Sequence, residues 1–301
     1  ASKVDRFWLL KSSVKRLESW FSEEKIKNGS CDLVLSNLDR SNNLLSQSNV
    51  PAVYYIVHNS VTEELNRQKK LGPIAYWYLL KSKKNLTQKK LISVSKGIAE
   101  EINSGNVITP NDIRTIYNPF DIKAIKEKAS ILNEAIPKAA YIIHVGRLAK
   151  QKRHDILFAA FAKVNTSVNL VLLCNKPDKA LKLAKRYGIE DRIILPGFQS
   201  NPYNWIKQAQ ALVLSSDYEG LPTVLLEAIA VNTKVVSTDC PHGPSEILTG
   251  DLAKYLVPRR QPEKLAQAIN QVLNDDVKLE NAEILTKVSA KEIATQYLSL
   301  V

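Results

Sequence analysis

Two glutamates that lie eight residues apart, Glu219 and Glu227, flank a stretch that could bind an anionic ligand with hydroxyl groups. Pro222 is well placed as the first residue of a helix, after a loop that contains Gly220. Free amides at the start of that helix would attract an anion by hydrogen bonding and through the helix dipole. A carboxylate inside the helix can accept hydrogen bonds from a diol such as ribose. The free amides would be those of Leu221, Thr223 and Val224.

A second stretch offers two cations at short spacing. Gly146 follows a predicted strand, 141–145, and allows a tight turn. Arg147 and Lys152 come next. An Arg fork and a Lys point charge are suited to clamping two phosphates. This stretch therefore indicates a phosphate site.

Predicted strands and helices alternate along the chain, which is typical of parallel sheets with helices on both faces. The pattern ends at Pro137 and starts again near Ala139, so we expect two doubly wound α/β domains, 1–137 and 138–287. A final helical segment, 288–301, is expected to pack back on the first domain. Ligands of such sheets bind at the carboxyl ends of the strands, so the cleft between the domains is the expected site. The predicted strands are 32–35, 52–57, 91–94, 113–117, 141–145, 169–173, 192–195, 211–214 and 235–237.

The charge of the chain suggests an anionic partner. Its 301 residues carry 42 basic and 30 acidic side chains, a formal net charge of +12. Residues 1–138 hold 22 of the basic and 14 of the acidic ones. No helix-turn-helix, zinc or RNA-binding motif accompanies this charge, so nucleic acid is not an expected partner. The densest cluster suits an anionic membrane surface, or else a helix with buried aromatics and solvated lysines. It comprises Tyr76, Trp77, Tyr78, Lys81, Lys83, Lys84, Lys89 and Lys90.

Other features favour a cytoplasmic protein. The three cysteines, Cys31, Cys174 and Cys240, are widely spaced and odd in number, which argues against a disulfide framework. The apolar stretches are too short to span a bilayer, and no signal peptide is visible. The chain begins with Ala and contains no Met, and it looks as though it enters its first domain midway.

Taken together, these motifs resemble family 4 of the retaining GT-B glycosyltransferases. The resemblance rests on the pair Glu219 and Glu227, the G-R-L…K stretch from Gly146 to Lys152, the segment 195–198 (LPGF) and the tail 237–247 (STDCPHGPSEI). It covers nearly all of 30–301 and is specific in 139–250. The similarity is greatest to bacterial enzymes that build lipopolysaccharide, capsule or lipid-linked oligosaccharides.

The resemblance implies a role for each candidate residue. Arg147 and Lys152 would clamp the diphosphate of a nucleotide sugar, Glu227 would bind ribose, and Phe198 would lie beside the base. Glu219, with the amides that follow it, would contact the donor sugar and its phosphate. His58, at the end of its strand, resembles a cleft histidine near the transferred sugar, although it could also be a buried structural histidine. His144, inside an apolar strand, is interpreted as structural.

Two departures from the family pattern concern the base and the first domain. The Gly-rich turn that many members carry after the strand 169–173 is replaced by Cys174-Asn175-Lys176-Pro177. The opening strand and Gly-rich loop of the family's first domain are absent. The contacts to the base are therefore left open.

The resemblance implies a UDP-sugar donor, a glycan or lipid-linked acceptor, and work at the inner face of the cytoplasmic membrane. No cofactor and no metal is expected, since Asp-x-Asp, H-E-x-x-H and paired C-x-x-C motifs are missing. Two alternatives remain open: a non-catalytic subunit that binds nucleotide sugars, and a glycosidase with Glu219 and Glu227 as its carboxylate pair. The cationic clamp argues against the glycosidase.

Overall fold

The computed structural model describes residues 9–165, 167–277, 279 and 282–301. The chain forms two compact units, one of residues up to 118 together with 293–301, the other of residues 119–292. Each unit contains one parallel β-sheet with helices. The expectation of a doubly wound α/β chain with two domains agrees with this architecture.

The first unit has a four-stranded parallel sheet in the order β1-β2-β3-β4. Its second strand is buried along its whole length, as expected for a central parallel strand covered on both faces. The strands are β1 (Val34–Asn37), β2 (Val53–Val57), β3 (Lys90–Ser93) and β4 (Asp112–Thr115). The helices are α1 (Leu10–Asn28), α2 (Leu38–Leu45), α3 (Val61–Lys69), α4 (Pro73–Lys84) and α5 (Lys96–Ser104).

The second unit has a six-stranded parallel sheet in the order β10-β9-β8-β5-β6-β7. Continuous apolar runs form its central strands, and Ile142, Leu170 and Leu212 are fully buried. The strands are β5 (Tyr141–Val145), β6 (Asn169–Leu173), β7 (Ile193–Ile194), β8 (Ala211–Leu214), β9 (Lys234–Thr238) and β10 (Leu256–Val257). The helices are α6 (Ile122–Ala129), α7 (His154–Phe161), α8 (Pro177–Lys185), α9 (Tyr203–Gln208), α10 (Thr223–Ala230), α11 (Pro244–Ile247), α12 (Pro262–Asn274), α13 (Glu283–Lys287) and α14 (Ala290–Leu298), whose last residues belong to the first unit.

The units divide at residue 118, whereas the sequence suggested residue 137. The reason is that α6 and the turn after it are bound to α9. Asn201 Nδ2 donates to Lys128 O at 2.9 Å, and Asn204 Nδ2 donates to Ile131 O at 3.2 Å. The break that the sequence shows at Pro137 is thus a loop inside the second unit. The final segment groups with the first unit from residue 293, against the expected 288.

The strands β5 and β8 part at their carboxyl ends. Their pairing runs through Ile142 with Ala211 and Ile143 with Leu212. One residue further along, the imidazole of His144 takes the place of a backbone partner, with Nδ1 at 2.8 Å from Val213 O. Because a carbonyl only accepts, His144 carries its proton on Nδ1. The side chain therefore satisfies the β8 carbonyl where the ladder ends, which agrees with a structural role for His144.

Lys83 does not belong to an exposed lysine cluster, which corrects the sequence expectation. Only 3% of its side chain is exposed, and its Nζ lies 2.7 Å from both Asp39 Oδ1 and Glu64 Oε2. Burial alone lowers the pKa of an ammonium, but the two carboxylates outweigh it and hold the pKa of Lys83 above its ordinary value. Lys83 thus ties α4 to α2 and α3. Lys81 and Lys84 are exposed as expected.

Replacing Lys83 should destabilise the first unit. In Lys83→Met the Glu64 carboxylate, whose side chain is 13% exposed, loses its cation, and breaking a buried pair from one side costs roughly 3–5 kcal/mol. Urea unfolding followed by circular dichroism measures the loss. The exposed neighbour gives a matched control, because Lys84→Met should change stability by less than about 0.5 kcal/mol. Equal midpoints for the two variants would contradict a structural ion pair at Lys83.

Candidate functional site

The topology of the second unit places the two candidate stretches side by side. The strand order changes direction between β5 and β8, since β6 and β7 extend from one side of β5 and β9 and β10 extend beyond β8. Ligands of doubly wound sheets bind at such a switch point, outside the carboxyl ends of the strands. Gly146 follows β5 and the loop 215–222 follows β8. Residues far apart in the sequence therefore meet where a ligand is expected.

Lys152 and Glu219 form an ion pair at this point. The Lys152 Nζ lies 2.7 Å from Glu219 Oε1, and the Glu219 residue is only 7% exposed. The hydroxyl of Ser216 donates to the same oxygen, and the Glu219 amide donates to Pro241 O at 2.9 Å. The carboxylate is thus fixed by a cation, a hydroxyl and its own backbone. The sequence analysis did not identify Ser216. This serine lies three residues before Glu219, a spacing that occurs in many loops.

Gly146 packs closely against the His144 ring. A Cβ atom at this position would lie 3.1 Å from His144 Nε2, a tight contact, and 3.6 Å from the Cδ and Cε atoms of Lys152, an ordinary one. The Gly146 amide donates to Leu173 O at 3.1 Å. A side chain at position 146 would therefore crowd the histidine behind Lys152.

Arg147 lies at the same loop but points to solvent. It is exposed, and in the described part of the chain its guanidinium makes no hydrogen bond or ion pair. Arg147 thus lies in the loop that carries Gly146, without a contact to Lys152, Glu219 or Glu227. An unengaged guanidinium at a loop can reach a ligand without first breaking a protein contact.

The amino end of α10 supplies the amides that the sequence suggested. The helix begins at Thr223 and Pro222 precedes it with φ −72° and ψ 91°, so Pro222 caps the helix instead of being its first residue. Among the described residues, the amides of Leu221, Thr223 and Val224 find no acceptor. Together with the helix dipole they form an anion-binding end.

Gly243 packs against this loop, and sequence reasoning gave it no role. Its φ is +92°, and a Cβ there would collide with Pro222 Cδ and lie 2.9 Å from Gly220 O. Any side chain at position 243 would push the loop that carries Glu219. The signal in the sequence was the Gly243-Pro244 pair within the family-like tail.

Glu227 sits in α10 in a largely desolvated position. Burial raises its pKa to about 7, against a hydrogen bond from Thr223 and the charge of Lys152, which both lower it. A carboxyl group with a pKa near 7 can lose its proton close to neutral pH, and the carboxylate can then accept hydrogen bonds from a diol. Burial and the nearby Glu227 charge raise the pKa of Tyr203 as well.

Two buried histidines lie behind Lys152. The rings of His144 and His154 are 4.9 Å apart, edge to face. Burial lowers the pKa of His144 well below its ordinary value, and burial followed by the Lys152 charge lowers the pKa of His154 to about 4. Both rings are therefore neutral near pH 7, and Lys152 is the cation on this side of the site.

The remaining candidates, Phe198 and His58, belong to other elements of the chain. Phe198 is 79% exposed in the loop after β7, with its ring free to meet a ligand from solvent. His58 belongs to the first unit, directly after β2, with Nε2 2.9 Å from Asn37 Oδ1. Burial lowers the pKa of His58 in spite of the opposing charge of Asp39. Asn37, at the end of β1, was not identified from the sequence.

The described residues contain neither a cluster of metal ligands nor a helix that could span a membrane. Across residues 9–165, 167–277, 279 and 282–301, no three His, Cys, Asp or Glu side chains cluster in a way that could hold a metal ion. None of the helices in that part of the chain has the length and apolar character needed to cross a bilayer.

Comparison with known proteins shows relatives among glycosyltransferases. The chain is 33% identical over 184 residues to a Campylobacter jejuni N-acetylgalactosaminyltransferase that acts on a diphospho-undecaprenol-linked acceptor, covering 60% of this chain and 50% of that protein. It is 30% identical over 198 residues to the lipopolysaccharide 1,6-galactosyltransferase of Salmonella typhimurium, covering 63% and 54%. The matches thus span about half the length of these curated relatives.

Solved structures share the fold. An Anabaena protein in complex with UDP-glucose matches with a TM-score of 0.75 at 19% identity, covering 97% of this chain and 81% of that one. A lipopolysaccharide outer core galactosyltransferase matches with a TM-score of 0.71 at 21% identity, covering 98% and 80%. Two α/β units, each with one parallel sheet, agree with the GT-B architecture that the sequence suggested. Residues 125–289 match the model of glycosyl transferases group 1, and the chain belongs to that family.

Proposed function

We propose that the protein is a retaining hexosyltransferase, which moves a sugar from a UDP-sugar to a glycan or lipid-linked acceptor in bacterial surface polysaccharide synthesis. The observation that carries the proposal is the Lys152–Glu219 pair at the switch point of the sheet, in which Glu219 belongs to the loop that leads to the free amides of α10. A diphosphate needs cations and amides, and a sugar needs a fixed carboxylate. The relatives support a lipid-linked or lipopolysaccharide acceptor, and a structural neighbour in complex with UDP-glucose supports the uridine donor.

In the proposed reaction the bond between the sugar C1 and the diphosphate oxygen breaks, and its electron pair leaves with UDP. An acceptor hydroxyl attacks C1 from the same face, and its proton passes to a phosphate oxygen of the departing donor. Lys152, Arg147 and the α10 amides stabilise the charge that grows on the diphosphate. These groups supply the positive charge of the site, so the proposed transfer needs neither a metal nor a cofactor.

The other side chains orient the donor. Glu219 holds the hydroxyls of the transferred sugar, since its carboxylate is already immobilised by Ser216 and Lys152. Glu227 accepts the ribose hydroxyls, and Phe198 covers the base. His58, in the first unit, is proposed to lie beside the transferred sugar.

The first test concerns the diphosphate clamp. Arg147→Gln and Lys152→Gln should each weaken UDP binding by about ten- to a hundredfold, because a hydrogen bond to a charged group contributes roughly 1.5–3 kcal/mol. Isothermal titration calorimetry measures the change. Lys150→Gln is the matched control, since Lys150 is an exposed lysine in the same short turn and should bind UDP like the wild type.

The outcomes also separate the alternative functions. If both clamp variants bind UDP normally, the donor site is misplaced. If the wild type binds a neutral oligosaccharide but no UDP, the protein is a glycosidase or a lectin-like protein. If UDP binds but UDP-sugars are never turned over with any lipid-linked acceptor, the protein is a binding subunit.

The affinity for UDP should depend on pH through Glu227. Its pKa is raised to about 7, and ribose hydroxyls donate to the ionised form, so binding favours loss of the proton. UDP affinity should therefore rise by about tenfold from pH 6 to pH 8, with proton release below neutrality. Calorimetry in two buffers with different ionisation enthalpies detects both effects. The terminal phosphate of UDP also changes its charge with pH, but its effect on affinity is the same for the wild type and for Glu227→Gln. A Gln variant with the same pH profile as the wild type would argue against ribose binding at Glu227.

We also propose peripheral contact of the first unit with an anionic membrane, on the cytoplasmic side. Ile74 and Trp77 lie on one face of α4 and are 82% and 64% exposed. Lys81 and Lys84 continue this face along the helix and are exposed too. Exposed Trp and Ile bordered by lysines match the headgroup region of a bilayer that carries negative charge.

The protein should bind vesicles of phosphatidylglycerol in preference to phosphatidylcholine at low salt, through Lys81 and Lys84 of α4. Each lysine near such a surface contributes about 1 kcal/mol, so Lys81→Gln with Lys84→Gln should weaken co-sedimentation by about thirtyfold. Lys182→Gln with Lys185→Gln is the matched control, because these lysines have the same spacing on α8 and are exposed. If both double variants sediment like the wild type, the α4 lysines are only a solvated helix face.

A further inference from the structure

The two loops that carry Lys152 and Glu219 are joined to each other through hydrogen bonds. The amide of Asp217 donates to Gln151 O at 2.8 Å, and Gln151 Nε2 donates to Tyr218 O at 2.7 Å. The hydroxyl of Ser215 donates to Lys152 O at 2.7 Å. The position of Lys152 is therefore coupled to the loop that follows β8.

Asp217 adds a charged anchor to this junction. Its two oxygens accept hydrogen bonds from Arg153 Nη1 at 3.0 and 3.1 Å. They also accept from Arg260 Nε and Nη2, both at 3.0 Å, while Arg259 Nη1 donates to the Asp217 carbonyl at 2.7 Å. The Asp217 side chain is 16% exposed. Each carboxylate oxygen is occupied by two donors, so the group has little capacity left for a ligand.

The Asp217 carboxylate binds Arg153, the residue that follows Lys152. Arg153 has a left-handed backbone, with φ +48°, which costs a non-glycine residue roughly 1–2 kcal/mol. The Arg153 guanidinium reaches across to Asp217, and its Nη2 also lies 2.8 Å from Oδ2 of Asp155 in the first turn of α7. Of these two contacts, only the one with Asp217 ties the strained residue beside Lys152 to the loop after β8.

We propose that Asp217 is a positioning residue, which through Arg153 and Arg260 holds the Lys152 ammonium in place to receive the donor diphosphate. The inference rests on the proposed function, because it concerns the same donor site. Asp217 does not touch the ligand in this scheme. Its effect on binding is transmitted through the backbone of residues 151–153.

The sign of the effect separates positioning from simple electrostatics. Asp217→Asn removes a negative charge near an anion site, so charge alone predicts tighter UDP binding. Positioning predicts weaker binding, because a neutral amide holds two guanidiniums poorly. Asp155→Asn is the matched control. It removes the same charge beside the same Arg153, but Asp155 lies only two residues from Arg153 and does not bridge the loops.

Calorimetry should show UDP affinity about tenfold lower in Asp217→Asn and within about twofold of the wild type in Asp155→Asn. Arg260→Gln serves as a second variant whose folding is secure, since 62% of that side chain is exposed, and it should lose about threefold. Unchanged or tighter UDP binding in Asp217→Asn and Arg260→Gln would overturn the proposal. So would equal losses in Asp217→Asn and Asp155→Asn.

A double-mutant cycle tests the route of the effect. If Asp217 acts through Lys152, then Asp217→Asn should weaken binding little further in a Lys152→Gln background. Additive losses would overturn positioning through Lys152 and leave the donor site intact. Normal UDP binding by Lys152→Gln alone would instead refute the donor site, which keeps the two failures distinct.

Discussion

Glu219 is a nearly buried carboxylate in the loop after β8, and it needs a cation nearby. The rest of the candidate site depends on that constraint. Glu219 is 7% exposed, and removing a charge from water costs several kcal/mol unless a partner and further hydrogen bonds compensate. Lys152 compensates from 2.7 Å. Two other features hold the loops that carry these groups: the close packing of Gly243 on the loop after β8, and the cross-loop contacts of Asp217.

The sheet explains why the pair forms where it does. Parallel strands deliver all their carboxyl ends to one edge, and the order of β5 and β8 brings together two loops that are about seventy residues apart in sequence. His144 ends the pairing of these strands with a side chain, which opens the edge between them. Burial and the nearby charge of Lys152 lower the pKa values of His144 and His154, so both rings are neutral near pH 7.

Sequence patterns predicted the buried elements best, for a physical reason. The bounds of β5, β6 and β8 agree with the structure because continuous apolar runs are required there. The helices α2 and α3 were not predicted, since their sequences are mostly polar and few apolar residues mark their buried faces. Lys83 was misplaced because its partners, Asp39 and Glu64, are distant in sequence. The motif around Glu219 was predictable, as a strand, a loop and a helix follow one another locally. The roles of Asp217 and Gly243 depend on contacts across loops, which spacing does not reveal.

The carboxylates of Glu219 and Asp217 have cationic partners before any ligand arrives. Lys152 neutralises Glu219, two guanidiniums share Asp217, and Glu227 has a pKa raised to about 7 by burial. A diphosphate that took hydrogen bonds from Lys152 would loosen the ammonium from Glu219, and the freed carboxylate would then need new donors. The hydroxyls of a sugar attached to that diphosphate are such donors, at the same place. Under the proposed function, phosphate and sugar compensate each other's cost only when both are present, so the site would bind an intact nucleotide sugar in preference to either fragment alone.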